Sequence, residues 1–210
     1  MADSATIASL ATAGGTLVLA AATFASTRSA NRAARAAERS LMAGLRPLLL
    51  SSRPEDPSQK VAWVDQHYSH VAGGRAAVDV ENDVIYFAGS VRNAGAGVAV
   101  MHGWHIRPWD VDHIADHIEP DRIRRQSRDL YVPAGDVGFW QGAIRDADDP
   151  DREWVLGAIE RRERILLDLL YGDQEGGQRV ITLFSLTPMD SGAWLFGASR
   201  HWNLDRDDPR

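Results

Sequence analysis

The sequence predicts a mainly β fold: an N-terminal transmembrane helix with a helical stem, then an antiparallel immunoglobulin-like β-sandwich carrying one short helix. Three observations predict it. Ala5 to Ala25 carries no charged residue over 21 positions, and residues 28–45 are rich in Arg and Ala. From Ala76 onward, apolar and polar residues alternate in short runs separated by turn residues. Helical periods do not alternate with these strands, which argues against a parallel α/β fold. The predicted boundaries are 1–27 for the transmembrane segment, 28–45 for the stem, 46–203 for the sandwich and 204–210 for a polar tail.

A helix of the uncharged length, at about 1.5 Å per residue, reaches roughly 30 Å, the thickness of a hydrocarbon core. Ile7, Leu10, Leu17, Val18, Leu19 and Phe24 are its strongly apolar residues. Each favours insertion by about 0.3–0.6 kcal/mol at mid-membrane, so insertion is favourable by a modest margin. A cleaved signal peptide would want positive charge ahead of the apolar run, and the acid Asp3 stands there instead. An interfacial helix would need a charged face inside the segment.

Arg28, Arg32, Arg35, Arg39 and Arg46 follow the span, and no Lys or Arg precedes it. The positive-inside rule then gives a single-pass cell-membrane protein with the N-terminus outside and the C-terminal domain cytoplasmic. Arg28, Arg32, Arg35 and Arg39 form one helical stripe, each adding about 1 kcal/mol of attraction to an anionic leaflet. The lipid bilayer is thus the first expected partner. Ala11 and Gly15 offer small-xxx-small spacing for a homodimer through the helix.

The 210-residue chain has a formal net charge of −6. With the basic stem removed, about 165 residues remain, enough for one domain with its own core. Their acidic balance argues against nucleic acid as a partner. Without Cys there is no disulfide, thiol nucleophile or thiolate metal site. Two runs, Arg122, Arg124, Arg125, Arg128 and Arg161, Arg162, Arg164, are interleaved with acids and read as solvated faces.

Along the domain, Arg46-Pro47 ends the stem helix, because the residue before Pro is pushed out of the helical region. Leu48 to Leu50 reads as a first strand, Arg53 to Lys60 as a loop, and Val61 to Val64 as a short edge strand. Ala76, Val78 and Val80 share one face of the next strand. Asn82-Asp83 turns the chain into Val84 to Arg92, with Ile85, Phe87 and Val91 on one face. Asn93 to Gly97 turns again into a third strand with Val98, Val100, Trp104 and Ile106 aligned, and these three strands read as a meander. Pro108 to Arg128 is an excursion. Leu130 to Val132 and Val137 to Trp140 flank a turn. Asp149-Pro150 opens the short helix, whose buried stripe is Val155, Ala158 and Ile159. Ile165, Leu167, Leu169 and Tyr171 alternate cleanly, as do Val180, Thr182, Phe184 and Leu186. Trp194, Phe196, Ala198 and Trp202 line a last strand.

Little here carries chemistry. His113, Asp116 and His117 are the weak metal candidates: on a helix the two imidazoles share a face one turn apart. The string resembles H-x-x-E-H with Asp in place of Glu. Gly95-Ala96-Gly97 lacks the third glycine of a dinucleotide loop. The acids Asp146, Asp148, Asp149 and Asp151 lack the Gly and closing Glu of an EF-hand. Exposure of Trp109 and Trp140 would mark a partner or membrane-surface patch. No catalytic residue and no cofactor is expected.

The plan resembles a loose group of uncharacterised bacterial single-pass membrane proteins with a C-terminal β-sandwich-like domain. The matching residues are Arg46-Pro47-Leu48-Leu49, Arg92-Asn93-Ala94-Gly95-Ala96-Gly97 and the hairpin around Tyr171-Gly172-Asp173. These are strand starts and turns, so the resemblance implies architecture and no activity. The leading expectation is a membrane-tethered, non-enzymatic module that binds another protein. The alternatives are a metal-dependent hydrolase using the His/Asp cluster at 110–121 and an extracytoplasmic sensor domain.

Overall fold

The structure, a computed structural model, describes residues 3–110 and 116–205, with the backbone alone for 4–11. The chain divides into two compact units, Met1–Ala43 and Gly44–Arg210.

The first unit is a single helix, α1 (Ser4–Gly44). Its threonines do not interrupt it. Thr16, Thr23 and Thr27 donate their hydroxyls to the carbonyls of Thr12, Leu19 and Thr23 at 2.8, 2.8 and 2.9 Å, so each polar group is satisfied on the helix itself. Leu17, Val18, Leu19 and Phe24 are exposed, as are the four arginines of the stem stripe. Among the described residues, no helix is long and apolar enough to cross a membrane. Ile7 and Leu10 of the predicted span, and Ala11 of the proposed dimer face, lie outside the described side chains.

The second unit is mainly antiparallel β sheet. Its strands are β1 (Leu49–Ser51), β2 (Gln59–Ala62), β3 (Tyr68–Val71), β4 (Arg75–Glu81), β5 (Val84–Asn93), β6 (Ala99–Pro108), β7 (Arg124–Arg125), β8 (Tyr131–Val132) and β9 (Val137–Ile144), followed after helix α2 (Arg152–Glu160) by β10 (Ile165–Gly172), β11 (Val180–Pro188) and β12 (Trp194–Asn203). Ten of them form one sheet in the order β1-β5-β4-β12-β11-β10-β6-β7, with β9 also paired to β5 and β8 to β6. β2 and β3 form a separate ribbon.

Between β4 and β12 only two residue pairs hold the sheet together, Trp194 with Ala76 and Leu195 with Arg75. The sheet folds over at this joint. Ile85, Phe87, Trp140 and Ile144 from one half then share a core with Leu167, Leu169, Phe184 and Phe196 from the other. Phe184 and Phe196 stack at 4.6 Å. Gly89 makes the close approach possible, since a Cβ there would lie 2.5 Å from the Phe196 ring.

The expected mainly antiparallel β fold is present, as one ladder whose two halves share a core, and several local expectations need correcting. β5 and β6 are not neighbours in a meander. Both edges of β5 are occupied, by β4 and β1 on one side and β9 on the other. The Asn93–Gly97 turn therefore carries the chain to the far half, where β6 pairs with β10. β3 was not foreseen. The cap of α2 is Asp151 rather than Asp149, whose Oδ1 instead accepts the Asp151 N–H at 2.9 Å. Trp140 is fully buried.

The resemblance motifs converge where the domain begins. Asn93 is fully buried. Its Oδ1 accepts from the N–H of Leu48 (3.1 Å) and Gly95 (3.0 Å), and its Nδ2 donates to the carbonyls of Gly97 (2.7 Å) and Val132 (3.0 Å). A Cβ on Gly97 would sit 1.8 Å from the Leu45 carbonyl oxygen, so only glycine fits. The Tyr171 hydroxyl accepts from the Leu49 N–H at 3.1 Å and shares a hydrogen bond with Thr182 at 2.9 Å. Burial pushes the Tyr171 phenol up to about 12.

Candidate binding site

Among the described residues β7 pairs only with β6 and β9 only with β5, and the two line a common cavity of about 230 Å³. One wall is the segment Arg124, Arg125, Gln126, Ser127 and Arg128, which begins as β7 on the edge of β6. The opposite wall is Gln141, Gly142 and Ala143 on β9, with Arg145 beyond them. Trp104 and Trp63 complete it.

Two of the four arginines are already balanced. Arg124 grips Asp149 in bidentate fashion, at 2.8 and 2.9 Å, also pairs with Asp151, and lies 5.3 Å over the Trp104 ring. Burial works against the Asp149 charge, but the Arg124 hydrogen bonds and the Asp151 N–H outweigh it and hold the carboxyl below its ordinary range. Arg145 donates to Asp65 at 3.1 Å and lies over the Tyr86 ring. The Tyr86 hydroxyl donates to the same carboxylate at 2.8 Å. Burial first, then Asp65, pushes Tyr86 up to about 12.

Arg125 and Arg128 differ. Both are exposed, and neither pairs with a carboxylate among the described residues. The cavity therefore carries two uncompensated guanidinium groups, the side chain best suited to planar anions. Its floor is polar as well. Gln126 and Gln141 are buried, and each commits its amide N–H₂, to the Arg128 carbonyl at 2.9 Å and to Asp129 respectively. Their Oε1 atoms have no partner.

Trp63 joins the cavity to the β2–β3 ribbon. Its Nε1 donates to the Gly142 carbonyl at 3.2 Å. Next to it the His67 ring stacks on Tyr86 at 4.0 Å, with Glu81 and Asp79 at 2.7 and 3.3 Å from its two nitrogens.

Of the sequence-predicted metal candidates, His113 lies outside the described residues. Asp116 offers its backbone carbonyl to Arg107 at 3.1 Å. His117 has Nδ1 2.8 Å from the Ile118 carbonyl, and its ring packs edge-on against Trp202. Among the described residues, no group of three His, Asp or Glu side chains could hold a metal. The acids near α2 are engaged locally: Asp149 and Asp151 by Arg124, and Asp146 by the Asp148 N–H at 3.0 Å. Trp109 is 40% exposed, with Arg164 4.1 Å over its ring. In sequence the run Arg122, Arg124, Arg125, Arg128 reads as a solvated face, and the structure instead places Arg124, Arg125 and Arg128 on the cavity wall. The available signal was that Arg124 to Arg128 contains three arginines and no acid.

The chain matches no family model, and no curated protein or solved structure matches it.

Proposed function

We propose that the protein is a membrane-tethered, non-enzymatic binding module whose sandwich-like body holds an anionic group in the arginine-lined cavity. The observation that carries this reading is the pair Arg125 and Arg128, two exposed guanidinium groups without carboxylate partners among the described residues, beside a cavity walled by Trp63 and Trp104. A guanidinium matches a carboxylate through two parallel N–H···O bonds, and the concave wall beside it adds contact for the rest of the ligand. The tether is the uncharged leading part of α1, and the Arg28, Arg32, Arg35, Arg39 stripe meets the anionic leaflet and leaves the body on the cytoplasmic side. A self-contained helix whose threonines bond back to its own carbonyls suits an apolar solvent.

Two measurements test it. The full chain, bound to anionic lipid vesicles, is expected to stay with them through an alkaline carbonate wash, and release overturns the tether. Glutarate, a simple dicarboxylate, is expected to shift the indole N–H resonances of Trp63 and Trp104 in the intact chain. An Arg125→Glu/Arg128→Glu variant is expected to abolish that shift. Unmoved indoles in the original chain overturn the anion site.

A further inference from the structure

We infer that the cavity anchors an extended, acidic segment of a partner protein, which adds as a strand to the free edge of β7. The inference rests on the anion-binding reading of the same cavity and names what brings the anion.

β7 pairs only with β6 and β9 only with β5 among the described strands, so both are edge strands, and one cavity is lined from both. The Gln126 N–H donates to the His102 carbonyl at 2.8 Å, which turns that peptide toward β6. By the alternation of an extended chain, the N–H and C=O groups of Arg125 point the opposite way. No turn, loop or side-chain hydrogen bond takes them among the described residues. On β9 the outward carbonyl of Gly142 is already held by Trp63 Nε1. The Arg125 peptide groups of β7 are thus open to a strand, and unpaired edge groups are a ready template for one.

Charge and size choose the occupant. Arg125, Ser127 and Arg128 are exposed, and the two arginines flank the open edge. At about 230 Å³ the cavity falls below the roughly 300–1,000 Å³ of sites that enclose a whole small molecule. It admits one carboxylate side chain, and the remaining contact runs along the edge. Within a chain of net charge −6, the two arginines make a local basic groove that suits a short acidic segment.

The test uses the full chain in detergent micelles and three end-blocked heptapeptides. The first alternates Glu and Thr, the second replaces Glu by Gln, and the third is the Glu peptide N-methylated at alternate amides. The Glu peptide is expected to bind at least about tenfold tighter than either control, and to slow exchange of the Arg125 amide. Arg125→Glu/Arg128→Glu is expected to remove this binding and favour a Lys/Thr peptide. Both side chains are exposed, so circular dichroism should show an unchanged fold. If N-methylation has no effect while glutarate and the Glu peptide still bind, strand addition is overturned and the anion site stands. If neither glutarate nor the peptides bind, both readings fall. If an oligothymidylate binds tighter than the Glu peptide, the partner is not an acidic protein segment.

Discussion

Arg107 Nε lies 2.8 Å from Asp168 Oδ2 on the side of β10 that faces away from the main core. Leu166, Leu170, Ile181 and Leu183 form that buried patch, and the Asp168 side chain is wholly buried, with Oδ1 unpartnered. Burial pushes the carboxyl above its ordinary value and Arg107 pulls it part of the way back. Removing Arg107 therefore strands a charge. Arg107→Ala is expected to cost about 3–5 kcal/mol at neutral pH.

The sign of its pH dependence follows. A carboxyl raised on folding keeps a proton that the unfolded chain releases, so stability falls as pH rises from 3.8 through the folded value. Without Arg107 the folded value rises further and the fall continues to higher pH. Urea unfolding near pH 4 should show a smaller deficit than near pH 7. Adding Asp168→Asn should remove the slope. A deficit equal at both pH values would mean that lost packing, not the stranded charge, dominates.

Asn93 fastens the start of the domain with both ends of its amide. Asn93→Ala leaves the Leu48 and Gly95 N–H groups and the Gly97 and Val132 carbonyls short of partners. About 3 kcal/mol or more should be lost, read as a lower melting temperature. Asn93→Asp is expected to be at least as damaging at neutral pH. It keeps the accepted bonds but turns a carboxylate toward two carbonyls. A near-native melting temperature for the Asp variant would show that the donated bonds contribute little.

How much of this was legible in the sequence depends on where the ladder is regular. β10 pairs within its own period, and its inward residues Ile165, Leu167, Leu169 and Tyr171 all fall in the main core as read. β6 and β12 each contain a shift of register. Between Leu170 and Tyr171 the partner on β6 jumps from Gly103 to Met101, skipping His102. The inward set therefore changes from Ala99 and Met101 to Trp104 and Ile106, whereas a strict period of two gives Val98 and Val100. On β12 the pairing jumps from Arg200 to Ala198, skipping Ser199. Trp194, Phe196 and Ala198 lie in the main core, and Trp202 turns to the opposite patch. One unpaired residue reverses every later side chain, and neither His102 nor Ser199 carries a local signature of that role. The cavity was hidden for a different reason. Arg125 and Arg128 acquire meaning only beside Gln141 and Trp63, which the fold brings from other strands.

Asp149 is one of the carboxyls that contribute to the acid limb of stability. Its carboxyl is held below its ordinary 3.8 because the hydrogen bonds from Arg124 and the Asp151 N–H outweigh the cost of burial. A carboxyl lowered on folding stabilises above its unfolded value, and the contribution is lost as pH falls through the folded one. Asp149→Asn should therefore be less stable than the original chain at neutral pH, with the gap closing below 3.8. Thermal melts across the acid range read this directly. A gap that widens on acidification would contradict the assignment.

His67 is expected to hold the β2–β3 ribbon in place. The ribbon has no strand pairing with the main sheet. Its side-chain attachments include His67 to Asp79 and Glu81, Asp65 to Tyr86 and Arg145, and Trp63 to Gly142. With both ring nitrogens facing carboxylates, and the ring stacked on Tyr86 and 5.1 Å from that of Trp63, His67 combines two polar contacts with two ring contacts. His67→Ala should raise amide exchange across residues 59–71 by severalfold and leave β10 and β11 unchanged, because their pairing does not involve the ribbon. His67→Phe keeps a ring for the stack and drops the carboxylate contacts, so it should fall between the two. Since Trp63 lines the cavity, glutarate binding should weaken in the same order. Exchange that rises equally in the ribbon and in β10–β11 would show that the ribbon is part of the cooperative core rather than a hinged wall of the cavity.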